Sequence, residues 1–376
     1  MKWGNYCLAD IIHIKHGWAF KGEFFSEEPT DDILLTPGNF IIGGGFKAKK
    51  LKYYKGEFPV DYILEENDVI VTMTDLSKEA DTLGFTAKVP AWFGKRFLHN
   101  QRIGLVSLKT NEFDLNYLYW LMRTYSYQKF VANGATGATV KHTSPTKICQ
   151  YKFIAPENKD TQRKIASILS AYDDLIENNL KRIKLLEEKA LMEYRILFSE
   201  NEINEFPIED VWEIKYGKNL PQTKITESGK YPVYGAAGRI GFYDEFNYEF
   251  PVALVTSRGN GSGVAHRTNM TAFVTNNSFA FVPKEEFVEV HFHLAEMILR
   301  DLELTQLRSG TAQPQLTIAG LIGVKLKLPN KEALIEFNKN VDPVFDLIHT
   351  LEKQNTKLRE ARDILLPKLM SGQIEI

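Results

Sequence analysis

From Ile165 to Ala190 a seam runs through Ile165, Leu169, Tyr172, Ile176, Asn179, Ile183, Leu186 and Ala190, in steps alternating four and three. This is the heptad spacing that keeps one apolar stripe on one side of a helix. Charged residues such as Lys181, Arg182, Lys184, Glu187, Glu188 and Lys189 fill the outer faces, and no Pro or Gly falls between Gln162 and Phe198. The pattern predicts one long helix over residues 159–200. Its core from Gln162 to Phe198 would span about 55 Å, and a helix of that length needs a partner for its seam.

The partner lies in the same chain, because the chain repeats. YCLADIIHIKHG (6–17) matches FPIEDVWEIKYG (206–217), with Asp10, Ile14, Lys15 and Gly17 recurring as Asp210, Ile214, Lys215 and Gly217. DVIVT (68–72) resembles VALVT (252–256), and LHNQRIGLVSL (98–108) resembles VTNNSFAFVP (274–283), with Asn100 opposite Asn276. Each half continues with a predicted helix and a Gly/Thr/Gln-rich loop, NGATGATVKHTS or RSGTAQPQLTIA. A short strand ending in Pro156 or Pro329 follows, and then a long helix. Shifting the first seam by 172 residues lands on Phe337, Val341, Val344, Ile348, Leu351, Asn355, Leu358 and Arg362, six of them large and apolar. The order predicted is globular domain 1–158, long helix 159–200, globular domain 201–330, and long helix with tail 331–376.

Each globular part reads as mixed α/β. Val-, Ile- and Phe-rich runs alternate with Gly-rich turns and one clear helix. Two tandem units with matching seams imply pseudo-two-fold symmetry, and the two long helices then form an intramolecular antiparallel coiled coil. Each seam carries one Asn. Setting Asn179 opposite Asn355 also sets Ile183 opposite Leu351 and Ile176 opposite Leu358, and a buried Asn fixes register because a slip leaves its amide unpaired. The alternative is that both Asn side chains face solvent at the seam edge.

Composition narrows the class. The 376 residues carry a net charge of −2, which argues against a sequence-blind nucleic-acid coat while leaving room for a local basic cleft. Two distant cysteines, Cys7 and Cys149, form neither a zinc motif nor a disulfide framework. The N-terminus lacks the apolar core of a secretory signal, and no run approaches the roughly 20 apolar residues of a membrane span. A reduced cytoplasmic protein with no membrane partner is expected. There is no GxxxxGK[ST] phosphate loop and no Asn-Pro-Pro-aromatic run. Gly43-Gly44-Gly45 reads as a turn and Gly259-Asn260-Gly261-Ser262-Gly263 as a loop. His291 and His293 lack further ligands for a metal, and Asp173-Asp174 reads as a solvated face.

The ordered repeat, the TQRKIASILSAYDDLIENNLKRIKLLEEKALMEYRILF helix, the LREARDILLPKLMSGQI terminus and the Gly/Thr loop before a Pro-terminated strand resemble the specificity subunit of type I restriction–modification enzymes. The resemblance covers essentially the whole chain. It implies two target recognition domains, each reading half of a split site in double-stranded DNA, and helices that set the spacing and dock two modification subunits. Restriction subunits join in the full complex. The resemblance places S-adenosylmethionine, ATP and Mg on those partners and no cofactor, metal or catalytic residue in this chain.

Base readout needs amide or guanidinium forks, and phosphates need basic groups. Candidates in the first domain are Lys47, Lys49 and Lys50, within a basic run that continues through Lys52 and Lys55 between tyrosines. Asn100, Gln101 and Arg102 follow, then Lys141 and His142. In the second they are Arg239, Arg258, Asn260, Arg267 and Asn277, with Gln313 and Gln315 in a loop whose recurrence also fits a purely structural role. The divergence of the two domains outside the matched segments implies an asymmetric target. A competing possibility is a non-catalytic coiled-coil scaffold that binds proteins rather than DNA.

Overall fold

The computed structural model describes residues 2–77, 79–236, 238–310 and 314–376; Gln313 lies outside them. The two long helices run over Lys159–Glu200 and Lys331–Met370. Both begin behind an asparagine whose side chain accepts a backbone N–H that the helix cannot satisfy itself. Asn158 Oδ1 takes Asp160 N–H at 2.7 Å, and Asn330 Oδ1 takes Ala333 N–H at 2.9 Å.

The chain divides into two compact units, residues 1–177 with 355–376, and residues 178–354. Each unit takes a piece of both long helices into its core. In the first, Ile165, Ala166 and Leu169 pack with Leu366, Leu369 and Met370 beneath Leu8, Ile11, Tyr117, Trp120 and Phe153. In the second, Ile183, Ala190, Tyr194 and Leu197 pack with Phe337, Val341, Val344, Ile348 and Leu351 beneath Trp212, Phe279, Phe281 and Leu294. Early residues of one helix thus meet late residues of the other, as an antiparallel pair requires. Along the rest of the seam Ile176 is buried and Tyr172, Leu186 and Leu358 are half-buried. Asn179 and Asn355 are 7% and 2% exposed, which excludes a solvent-facing role for either.

The globular parts share one plan. An antiparallel ribbon joins Trp3–Cys7 to Lys152–Pro156 in the first unit and Ile203–Pro207 to Lys325–Pro329 in the second. A four-stranded antiparallel sheet follows, in the order Ile12–His16, Ile103–Leu108, Val69–Thr72, Thr86–Lys88. Its counterpart has the order Trp212–Tyr216, Ser278–Pro283, Ala253–Thr256, Ala265–Arg267. The extra length of the first unit lies before its outgoing strand, in a five-stranded sheet where the second unit has three strands.

Pairing corrects one alignment. Asn100 bridges Trp18 while Thr275, not Asn276, bridges Lys218. A Cβ on Gly17 would lie 2.1 Å from the Asn100 carbonyl oxygen, and one on Gly217 would lie 2.2 Å from that of Thr275. The recurring glycine is explained by this close backbone approach.

The C-terminal residues complete the core of the first domain, so Leu369→Ala should destabilise that unit by about 2–5 kcal/mol although it lies far from it in sequence. Hydrogen exchange resolves the effect. Faster exchange in strands 69–72 and 103–108 is expected; a change confined to the last helical turns would contradict the shared core.

Candidate nucleic-acid interface

In the first unit the lysine run is held at both ends. The buried Asn39 receives Lys47 N–H on its carbonyl (2.8 Å), and its side-chain amide donates to Lys47 O (3.2 Å). Downstream, Lys52–Tyr54 pairs with Asp32–Leu34. The exposed side chains of Lys47, Lys49, Lys50 and Lys52 line a cleft of about 820 Å³ that Asn100, Gln101 and Arg102 also line. Gln101 and Arg102 are exposed. Asn100 is 8% exposed and its Oδ1 accepts Arg102 N–H at 3.0 Å, so this side chain builds the turn that presents its neighbours.

Lys141 and His142 approach the same strand end. They pair with Thr74–Asp75, and His142 Nδ1 lies 3.2 Å from Thr74 Oγ1. Met73 receives both loops, donating its N–H to Arg102 O and accepting from Thr143 N–H, each at 3.0 Å. Asp75 fixes the following loop. Burial pushes its carboxyl pKa up, but bonds from Ser77 and Thr82 outweigh this and hold it below the ordinary range.

The glycine turn that introduces the lysines rests on a buried cation. Arg123, 3% exposed, donates from Nε to Gly43 O (2.9 Å) and from Nη2 to Gly44 O (3.2 Å), and a Cβ at Gly44 would lie 2.6 Å from its side chain. Its Nη1 donates to Tyr119 Oη (2.6 Å) and to Asp173 Oδ2 (2.7 Å). Asp173 also binds Arg362 of the second long helix at 2.5 Å. Asp173 is therefore an ion-paired group, while Asp174 beside it is exposed as on a solvated face. The Asn179–Asn355 register would set Asp173 opposite Ala361, and the contact to Arg362 lies one residue away.

In the second unit Arg258 and Asn260 are exposed on the loop after Ala253–Thr256, beside the half-buried Asn277. Ser257 N–H donates to Asn277 O at 2.8 Å. Arg239 is exposed on strand Gly238–Tyr243 with its guanidinium 5.1 Å from the Phe242 ring. Arg267 departs from expectation. It is ion-paired to the buried Glu296 and lies over the Phe345 ring at 4.7 Å. Its partner Glu296 lies on the helix Phe292–Asp301, where a buried carboxylate requires a paired cation, and Phe345 lies on the second long helix. Beside Arg267, His293 stacks on Phe345 at 3.8 Å, and burial followed by Arg267 holds its pKa far below the ordinary value. Among the described residues no three His, Cys, Asp or Glu side chains are gathered as a metal would need.

The comparisons match this architecture. The family model for the type I restriction modification DNA specificity domain matches residues 1–188 and 200–360. The chain belongs to the type I restriction–modification DNA specificity family. The specificity subunit of the MjaIX type I restriction enzyme of Methanocaldococcus jannaschii is 26% identical, the match covering 69% of each chain. A putative type I specificity subunit of Mycoplasma genitalium is 24% identical over 70% of this chain and 73% of its own. The crystal structure of an M. genitalium type I S subunit shares the fold, with a TM-score of 0.67 at 21% identity over 98% of this chain and 96% of that one. This specificity subunit is thus a recognition component, and the catalytic activity of such enzymes lies on partner subunits. A scaffold that binds only proteins finds no support in these relationships. No described helix is long and apolar enough to cross a membrane.

Removing the charge that faces Arg123 leaves a buried guanidinium without a counter-charge, so Asp173→Asn should cost about 3–5 kcal/mol. Burial raises the Asp173 pKa, but Arg123 and then Arg362 outweigh it and leave the folded value lowered. Its contribution is therefore present above about pH 3.9 and lost as pH falls through the lower folded value. Denaturant titration of both proteins at neutral and acid pH checks this, because the difference between them should shrink on acidification.

Proposed function

We propose that the first domain reads one half of a bipartite site in double-stranded DNA through the Lys47–Lys52 cleft, and that the second reads a different half through the Arg258 loop. The target is then asymmetric, and the two long helices set its spacer. The observation that carries this is the convergence on one cleft of two segments far apart in sequence. Four exposed lysines suited to phosphate share one cleft with Gln101 and Arg102, whose amide and guanidinium forks match the major-groove edges of adenine and guanine.

The partners are two modification subunits, joined by restriction subunits in the full complex. They supply S-adenosylmethionine, ATP and Mg. Large apolar side chains point outward from the long helices, including Leu185 and Met192 at 64% and 61% exposure, with Leu180 and Ile335. Exposed side chains of this size on a charged helix suit a protein interface. These positions dock the modification subunits.

Two experiments separate the roles. Replacing Lys47, Lys49 and Lys50 by Ala should weaken binding to all duplexes alike and lower the salt slope by up to about three, read by anisotropy titration over a salt series. Loss at one base pair only would assign these lysines to bases. Leu185→Glu with Met192→Glu should abolish co-purification with the modification subunits and leave the chain's melting temperature unchanged. Intact co-purification would remove the helices from the docking surface.

A further inference from the structure

The two domains share a backbone frame around the reading end more closely than their sequences show. In each, the residue after the central strand ties two loops together. Met73 N–H donates to Arg102 O at 3.0 Å and Ser257 N–H to Asn277 O at 2.8 Å. Thr143 N–H then donates to Met73 O at 3.0 Å and Leu316 N–H to Ser257 O at 2.8 Å. The turn before the outgoing strand is held the same way, by Gln101 N–H to Trp18 O (2.9 Å) and Asn276 N–H to Lys218 O (3.0 Å). The Gly/Thr/Gln-rich loop closes in both units as a reciprocal pair. Thr136 and His142 exchange bonds of 2.9 and 2.8 Å, and Ser309 and Gln315 exchange bonds of 2.8 and 2.9 Å. Each loop then enters a short helix capped by its own hydroxyl, Ser144 or Thr317.

On this shared frame the outward side chains differ. His142 and Gln315 occupy the same station, one residue before the one that bonds to the strand end, and both are exposed. The residues facing them across the strand end are Thr74 and Arg258. Between the two copies the backbone bonds recur while the exposed side chain they present differs. A loop kept for structure alone has no reason to place a large, exposed, hydrogen-bonding side chain of different chemistry at one matched position in each unit.

We infer that this hairpin station determines specificity, with His142 reading a base pair in one half-site and Gln315 reading the corresponding base pair in the other. The inference rests on the DNA-reading function proposed above. The chemistry of the two side chains suits different edges. Gln315 carries the donor–acceptor fork that matches adenine N6 and N7, beside an arginine suited to guanine. His142, with Nδ1 engaged by Thr74 Oγ1, offers its other ring nitrogen as a single donor or acceptor.

The test uses the full chain co-purified with its modification subunits, selected against random-sequence duplexes and sequenced. The unaltered complex should enrich a split motif with two different halves. Gln315→Ala should relax selectivity at one base pair of one half by about fivefold or more, and His142→Ala should do so in the other half, each leaving the remaining positions intact. Gln315→Glu keeps the length and the backbone bridge, and it should move the preference from adenine toward cytosine at the same pair. Equal weakening at every position, relaxation of the same half by both variants, or an unchanged motif would overturn the assignment. Failure of the unaltered complex to enrich any motif would instead overturn the DNA-reading function on which it rests.

Discussion

The apolar seam of the two long helices is the constraint on which the rest depends. It serves as the floor of both domain cores, so neither globular part is complete within its own stretch of sequence. Leu366, Leu369 and Met370 lie beneath the first domain with Ile165 and Leu169, and Phe337 and Val341 lie beneath the second with Tyr194 and Leu197. The folded core of the first unit therefore includes Leu366, Leu369 and Met370 from the second long helix. The same packing joins each globular part to the long helices. Arg123 carries this furthest, linking the glycine turn that introduces the lysines to Asp173 on one helix and, through Asp173, to Arg362 on the other.

Much of this was legible in the sequence because periodicity reports burial. Alternating steps of four and three, with no proline or glycine between Gln162 and Phe198, mark the first helix well. The ordered repeat then supplies the partner. Strand order was not legible, since short Val- and Ile-rich runs say that a strand is buried but not what lies beside it. The pairing of Asn100 with Asn276 failed by one residue for a related reason. The constraint there is a backbone approach to Gly17 and Gly217, which any residue can satisfy, so matching asparagines carried no information about register.

Charged side chains were the least legible. Arg267 and Arg258 look alike as isolated arginines in polar surroundings. One is bound inward by the buried Glu296 and the other is exposed beside Gln315. The role of Asp173 is hidden in the sequence because its partners, Arg123 and Arg362, are remote from it. By contrast, the lysine run and the Gln101–Arg102 pair, each noted separately, lie on one cleft. The frame accounts for this difference. Backbone bonds set where side chains are presented, while the side chains themselves are free to differ between domains.

A specificity role in the complex makes the address a property that can be followed through this chain. The most direct measurement is adenine methylation across the genome of the host, with the gene intact, deleted, and restored with the Arg258→Ala substitution. The account predicts one split, asymmetric methylated motif that disappears on deletion and returns on restoration with a single base pair relaxed in one half. Persistence of the motif without the gene, or its return with both halves altered, would contradict the account.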